Sequence, residues 1–176
     1  MCEVTEGYDI TCDDTGGTER VYWYSVKDDT GASNVDTRTV VNGQVTDLTL
    51  KAGKYAYSLN VEIETATFND NAVGERANKA YAREQDSTVI LHGNTAAMIA
   101  MLDTSAKGRI GLIHKLNDGT YEHLFLENGA VMRDSRTPGT AYEDMNGNTL
   151  TFTGKEKAKA PKISEAIVLA LLATVS

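Results

Sequence analysis

From Lys54 to Thr67 the side chains alternate almost without error. Tyr55, Tyr57, Leu59, Val61, Ile63, Thr65 and Thr67 share one parity; Lys54, Ala56, Ser58, Asn60, Glu62, Glu64 and Ala66 share the other. A period of two marks a strand buried on one side and wet on the other. Fourteen residues at about 3.3 Å each span roughly 46 Å, whereas a compact domain of this length has a radius of gyration near ~16 Å. The pattern therefore predicts a strand that overhangs its own core and needs a second chain to cover it.

The same reading places strands at Tyr8–Cys12 and Arg20–Val26, the latter apolar on both faces, and at Thr37–Val41 and Gln44–Leu50 around an Asn42-Gly43 turn. Ala80–His92 is a second long arm, so residues 54–92 are expected to form a long hairpin with a loop over Asn69–Asn78 at its tip. Asn94 is the expected cap of a helix over 94–107, with Met98, Ile99 and Leu102 as its apolar stripe. Arg109–Leu116 and Thr120–Glu127 read as a further hairpin. A two-residue Asp118-Gly119 turn would set Lys115 opposite Glu122 and His114 opposite His123. Asn148–Thr153 is a strand, Lys155–Lys162 a charged linker, and Ile163–Val175 a closing strand or pair. The organisation expected is one β-domain over 1–176, with an N-terminal arm at 1–19 and a linker and C-terminal strand at 155–176. Its class is mainly β: a barrel or sandwich with one short helix over an open end and a long protruding hairpin.

Composition narrows the chemistry. The chain has 176 residues, 41% of them hydrophobic, and only two prolines, enough for a packed core. A net charge of −8 argues against a phosphate-binding surface. Cys2 and Cys12 form neither a disulfide framework nor a zinc signature. No basic stretch leading into an apolar core opens the chain. Ala166–Val175 is far shorter than the roughly 20 residues that cross a bilayer. The lysines at 155, 157, 159 and 162 are interrupted by Glu156 and lack interleaved aromatics, unlike a nucleic-acid platform. Glu62 and Glu64 share one strand face, whereas glycosidase acids face each other across a cleft. No nucleophile elbow or phosphate loop is present. Of the three histidines, a cross-strand pair at 114 and 123 would still lack the further ligands a zinc site needs. No catalytic residue, metal or cofactor is assigned. Tyr8, Tyr22, Trp23, Tyr24, Tyr55, Tyr57 and Phe68 would suit a sugar-binding module if exposed, but most occupy positions that look core-facing.

Two stretches carry a resemblance. One is Leu91-His-Gly-Asn-Thr-Ala-Ala-Met-Ile-Ala-Met-Leu-Asp-Thr-Ser-Ala-Lys-Gly108, where strand passes into capped helix; the other is Glu143-Asp-Met-Asn-Gly-Asn-Thr-Leu-Thr-Phe-Thr-Gly-Lys-Glu156. With the opening Cys12-Asp-Asp-Thr-Gly-Gly17 and Val21-Tyr22-Trp23, they resemble the tail tube (major tail) proteins of tailed bacteriophages, and structural proteins of phages with Bacteroidetes-type hosts. The resemblance implies a virion protein of the tail, made in the host cytoplasm. It implies homo-hexameric rings stacked into a tube whose inner wall is a continuous sheet of hairpins. Double-stranded DNA would pass through without specific binding, and a sheath or terminator and a baseplate would be further partners. On that reading Ser58, Asn60, Glu62, Glu64, Glu84 and Asp86 are candidates for the lumen, where like charge lets DNA slide. Asn69, Asp70, Asn71, Val73, Glu75, Arg76 and Asn78 are candidates for ring-to-ring contacts. The alternatives are a capsid-decoration, head–tail connector or tail terminator protein, or a carbohydrate-binding β-sandwich.

Overall fold

The structure is a computed structural model that describes residues 16–59, 61–62, 64–75, 77, 80–139 and 146–172. The expected strand Tyr8–Cys12 and the candidates Asn60, Arg76 and Asn78 lie outside them. The elements run β1 (Thr18–Lys27), β2 (Val35–Val41), β3 (Gln44–Leu50), β4 (Tyr57–Leu59), β5 (Ala66–Val73), β6 (Ala82–His92), α1 (Ala96–Ser105), β7 (Arg109–Leu116), β8 (Tyr121–Leu124), β9 (Val131–Thr137), β10 (Gly147–Glu156), β11 (Lys162–Ile163) and α2 (Glu165–Leu171). They make two sheets, one of order β2-β3-β11-β8-β7-β1-β4 and one of order β5-β6-β10-β9. Neither closes into a barrel among the described residues. The fold is mainly β and sandwich-like.

β1 explains the layering. Its alternate residues Val21 and Trp23 face the four-stranded sheet and pack with Val89, Leu91, Met132, Leu150 and Phe152. Tyr22, Tyr24 and Val26 face the other way and pack with Val45, Leu48, Ile113 and Tyr121 beneath Val168 and Leu171 of α2. A strand apolar on both faces is thus buried on both, as its sequence implies.

The alternating run does not form one strand. It divides into β4 and β5, which belong to different sheets. Between them the Thr65 N–H and hydroxyl both donate to the Glu62 carbonyl, at 3.3 and 2.7 Å, and Glu64 takes a left-handed φ of 63°. The turn there also switches the core-facing parity, from Leu59 on β4 to Ala66 and Phe68 on β5, a change that the apparent alternation through Thr65 and Thr67 conceals. The overhanging strand predicted from sequence is therefore absent. The hairpin begins at Ala66, not at residue 54, with register Ala66↔Val89 through Val73↔Ala82.

Three further expectations are corrected. The β7–β8 connection is one residue longer than a two-residue turn: Leu116 pairs with Thr120 and Gly119 sits at φ 85°, the signature of a three-residue loop ending in a bulge glycine. The register is accordingly Ile113↔His123 and His114↔Glu122. α1 is capped by Thr95, whose hydroxyl accepts the Met98 N–H at 3.2 Å, instead of by Asn94. Of its stripe only Leu102 is buried, while Ile99 is 53% exposed. Finally, the closing strand is a helix. Ser164 occupies the N-cap position of α2 and Val168 and Leu171 recur on its buried side, a short apolar run that periodicity cannot separate from a buried strand. β10 extends to Glu156, which shortens the linker to residues 157–161.

Candidate assembly surface

Because β6 buries Gln85, Ser87, Val89 and Leu91, its intervening residues look away from the core. The register carries that parity across the whole four-stranded sheet. One row of its outer face reads Asn71, Glu84, Lys155 across β5, β6 and β10. The next, across all four strands, reads Asn69, Asp86, Thr153, Val131, and the third Thr67, Thr88, Thr151, Arg133. The face is rich in hydroxyls and amides. Its two carboxylates, Glu84 and Asp86, are matched by Lys155 and Arg133, so it is neutral by formal count and not the acidic wall the sequence reading placed there.

Of the lumen candidates, Glu84 and Asp86 lie together on this face. Ser58 stands on β4 in the other sheet, and Glu62 and Glu64 lie in the turn between β4 and β5. Of the ring-contact candidates, Asn69, Asp70, Asn71 and Val73 are strand residues of β5, and Glu75 follows in the hairpin connection. Asp70 points inward. It pairs with Arg83 at 2.9 Å and accepts the Ala160 N–H at 2.8 Å. Burial pushes its carboxyl up, but the hydrogen bonds from Arg83 and Ala160 outweigh that and hold it below its ordinary value. It clamps the hairpin to the linker after β10 and is not available as a contact residue.

The register slip separates the two histidines onto opposite faces of the seven-stranded sheet, where both are fully buried. His114 lies between Thr18 Oγ1 at 3.2 Å and Ser87 Oγ at 3.0 Å, so it links the two sheets across the main core. His123 Nε2 meets the Tyr24 hydroxyl at 2.8 Å on the α2 side. Burial pushes each imidazole down to about 3; both are neutral structural groups. Residue type and spacing alone gave no sign of this role, which depends on a loop length.

A concavity of about 750 Å³ opens where α1 ends over β1 and β4. Trp23, Tyr55, Tyr57, Met101 and the β1–β2 connection line it. Tyr55 and Tyr57 are 45% and 55% exposed, which corrects their core-facing assignment: β4 is an outer strand and only three residues long. No family model, curated protein or solved structure matches the chain. Among the described residues no helix is long and apolar enough to cross a membrane.

Proposed function

We propose that this chain is a structural subunit that assembles with copies of itself, as the phage tail tube proteins it resembles do, into hexameric rings stacked around a DNA-conducting channel in the virion tail. The observation that carries the reading is the four-stranded sheet. All three of its pairings are antiparallel and free of register shifts, and among the described residues no strand pairs the outer edge of β5 or of β9. Strand sense alternates across four strands, so β5 and β9 run oppositely. Rotation about a ring axis brings β5 of the next copy beside β9 in antiparallel sense, which continues the ladder without reversing any chain. Long unpaired edges otherwise invite uncontrolled association; a closed ring removes them.

Six copies would contribute twenty-four strands, a circumference of roughly 115 Å and a backbone radius near ~18 Å before strand tilt is counted. The hydroxyl- and amide-rich outer face then becomes the channel lining, with Glu84 and Asp86 within it. A formally neutral wall offers no excess of cations to phosphate, so a duplex passes without being held. Negative-stain microscopy of the purified protein tests the reading. Hollow tubes are expected. Discrete rings that never stack would point to a decoration or connector role, and a compact monomer by solution scattering at high concentration would overturn self-assembly altogether.

A further inference from the structure

We propose that the cleft between β4, the β1–β2 connection and the C-terminal end of α1 binds a neutral oligosaccharide. Two tyrosines are the first support. Tyr55 and Tyr57 line the cleft with large exposed fractions, and Tyr57 lies directly across the strand pair from Trp23, which is buried at the cleft floor. A pyranose presents one face of C–H groups, and an aromatic surface of this kind is its natural platform, with hydroxyls left to the rim.

The rim is the second support. Ser25, Asp28, Asn34 and Ser58 line the same space, and local bonds fix three of them before any ligand arrives. Asp28 Oδ1 accepts the Thr30 N–H at 3.0 Å, the Thr30 hydroxyl at 2.7 Å and the Ala32 N–H at 2.9 Å. These bonds, led by the Thr30 hydroxyl, hold the carboxyl below its ordinary value and involve only one of its two oxygens. Buried Asn34 donates through Nδ2 to Ser25 Oγ at 3.1 Å. Groups held in place by their own loop bind hydroxyls with little further ordering. Charge supplies the selectivity. Asp28 and Asp29 line the cleft together with Lys54 and Lys107, and Lys107 also pairs with Asp103 at 3.0 Å on the exposed side. Among the described residues the lining carboxylates match the lining cations in number, leaving no net positive charge to clamp a phosphate or a uronate, which favours an uncharged ligand.

The site stands apart from the assembly reading, because it lies on the other sheet and needs only one copy. Its test is equally separate. Trp23 is the only tryptophan of the chain, so its emission reports occupancy directly. Purified protein is titrated with maltohexaose, cellohexaose, mannohexaose and chitohexaose, up to about 10 mM, beyond the weak end of useful affinity. At least one hexaose is expected to shift Trp23 emission saturably. Tyr57→Ala and Tyr55→Ala should each weaken that binding about tenfold, and Tyr57→Phe, which keeps the ring, should stay within about twofold. Both positions are solvent-exposed, and an unchanged melting midpoint confirms that the variants fold. No response to any of the four sugars, equal binding by both alanine variants, or tighter binding of a hexose phosphate than of the neutral hexose would overturn the proposal.

Discussion

The side-chain amide oxygen of Gln85 accepts the backbone N–H of Phe125 at 2.7 Å, inside the protein and forty residues away in sequence. Phe125 stands just past the end of β8, where the chain leaves the seven-stranded sheet for β9 in the other. There it adopts φ 58° with its ring fully buried, a conformation that costs a bulky residue about 1–3 kcal/mol. Gln85 also stands directly across the β5–β6 ladder from Asp70, so one buried amide ties the corner between the sheets to the hairpin. Gln85→Leu should destabilise the protein by about 2–4 kcal/mol, because it strands a buried N–H. Gly154→Ala should cost about 1–3 kcal/mol, since its new methyl would sit 2.9 Å from the Phe125 ring. Urea unfolding reads both, and a Gln85→Leu midpoint equal to the parent's would dismiss the corner as a stabilising feature.

Acid should weaken the fold through the two buried histidines. Each titrates at about 3 when folded and near ~6.5 when unfolded. Between those values the unfolded chain binds the extra proton, so stability is complete above pH ~6.5 and falls as pH drops toward 3. The pair contributes a slope of up to about 2.7 kcal/mol per pH unit. Glu156 works in the opposite direction: burial raises its carboxyl, and the N–H groups of Asn128 and Glu127 only partly offset that. Comparing unfolding free energies at pH 7.5 and 5 for the parent and for His114→Gln/His123→Gln tests the assignment. The double variant should show a much flatter loss, and an unaltered pH slope would place the acid sensitivity elsewhere.

Helix α1 offers a sharp comparison between neighbouring residues. Thr95 supplies the cap hydroxyl, whereas an Asn94 cap was the natural reading of the sequence. Thr95→Ala is expected to cost about 1 kcal/mol and Asn94→Ala a few tenths at most. Calorimetry on the two variants decides; the reverse ranking would restore Asn94 as the cap.

These cases show which features the sequence exposes. The Asn42-Gly43 hairpin was legible because both residues must take positive φ, and they do, at 50° and 75°. The double-sided burial of β1 was legible because apolar residues occupy both parities. The break at Glu62–Thr65 was not, since counting Thr65 and Thr67 with the apolar parity hides the switch to Ala66 and Phe68 on the inner face of β5. The histidine positions turned on one loop residue, which flips every side chain of β8 to the other face. The cleft was hidden for a related reason: Tyr55 and Tyr57 carry a core-like pattern, and only the position of β4 at the sheet edge exposes them. Ile167, Val168 and Leu171 fit either a short strand or a helix, and the packing of Val168 and Leu171 under the α2 side decided it.

The edge of β5 provides the most direct test of self-assembly. The Ile90 N–H donates to the Thr65 carbonyl at 2.9 Å, and residues 65 and 90 continue the β5–β6 register. That pair is therefore hydrogen-bonded, and alternation makes Thr67, Asn69, Asn71 and Val73 bond inward to β6. Ala66, Phe68, Asp70 and Ala72 turn their backbone N–H groups toward the free edge. Proline at an exposed edge position removes a donor that only a neighbouring copy could use. Ala72→Pro should thus leave the monomer within about 1 kcal/mol of the parent while abolishing tubes, whereas Asn71→Pro, which breaks the internal ladder, should destabilise the monomer by about 3 kcal/mol. Unfolding curves and electron micrographs of the two variants separate these effects. Normal tubes from a folded Ala72→Pro protein would remove β5 from the interface, even if self-assembly by another surface survived.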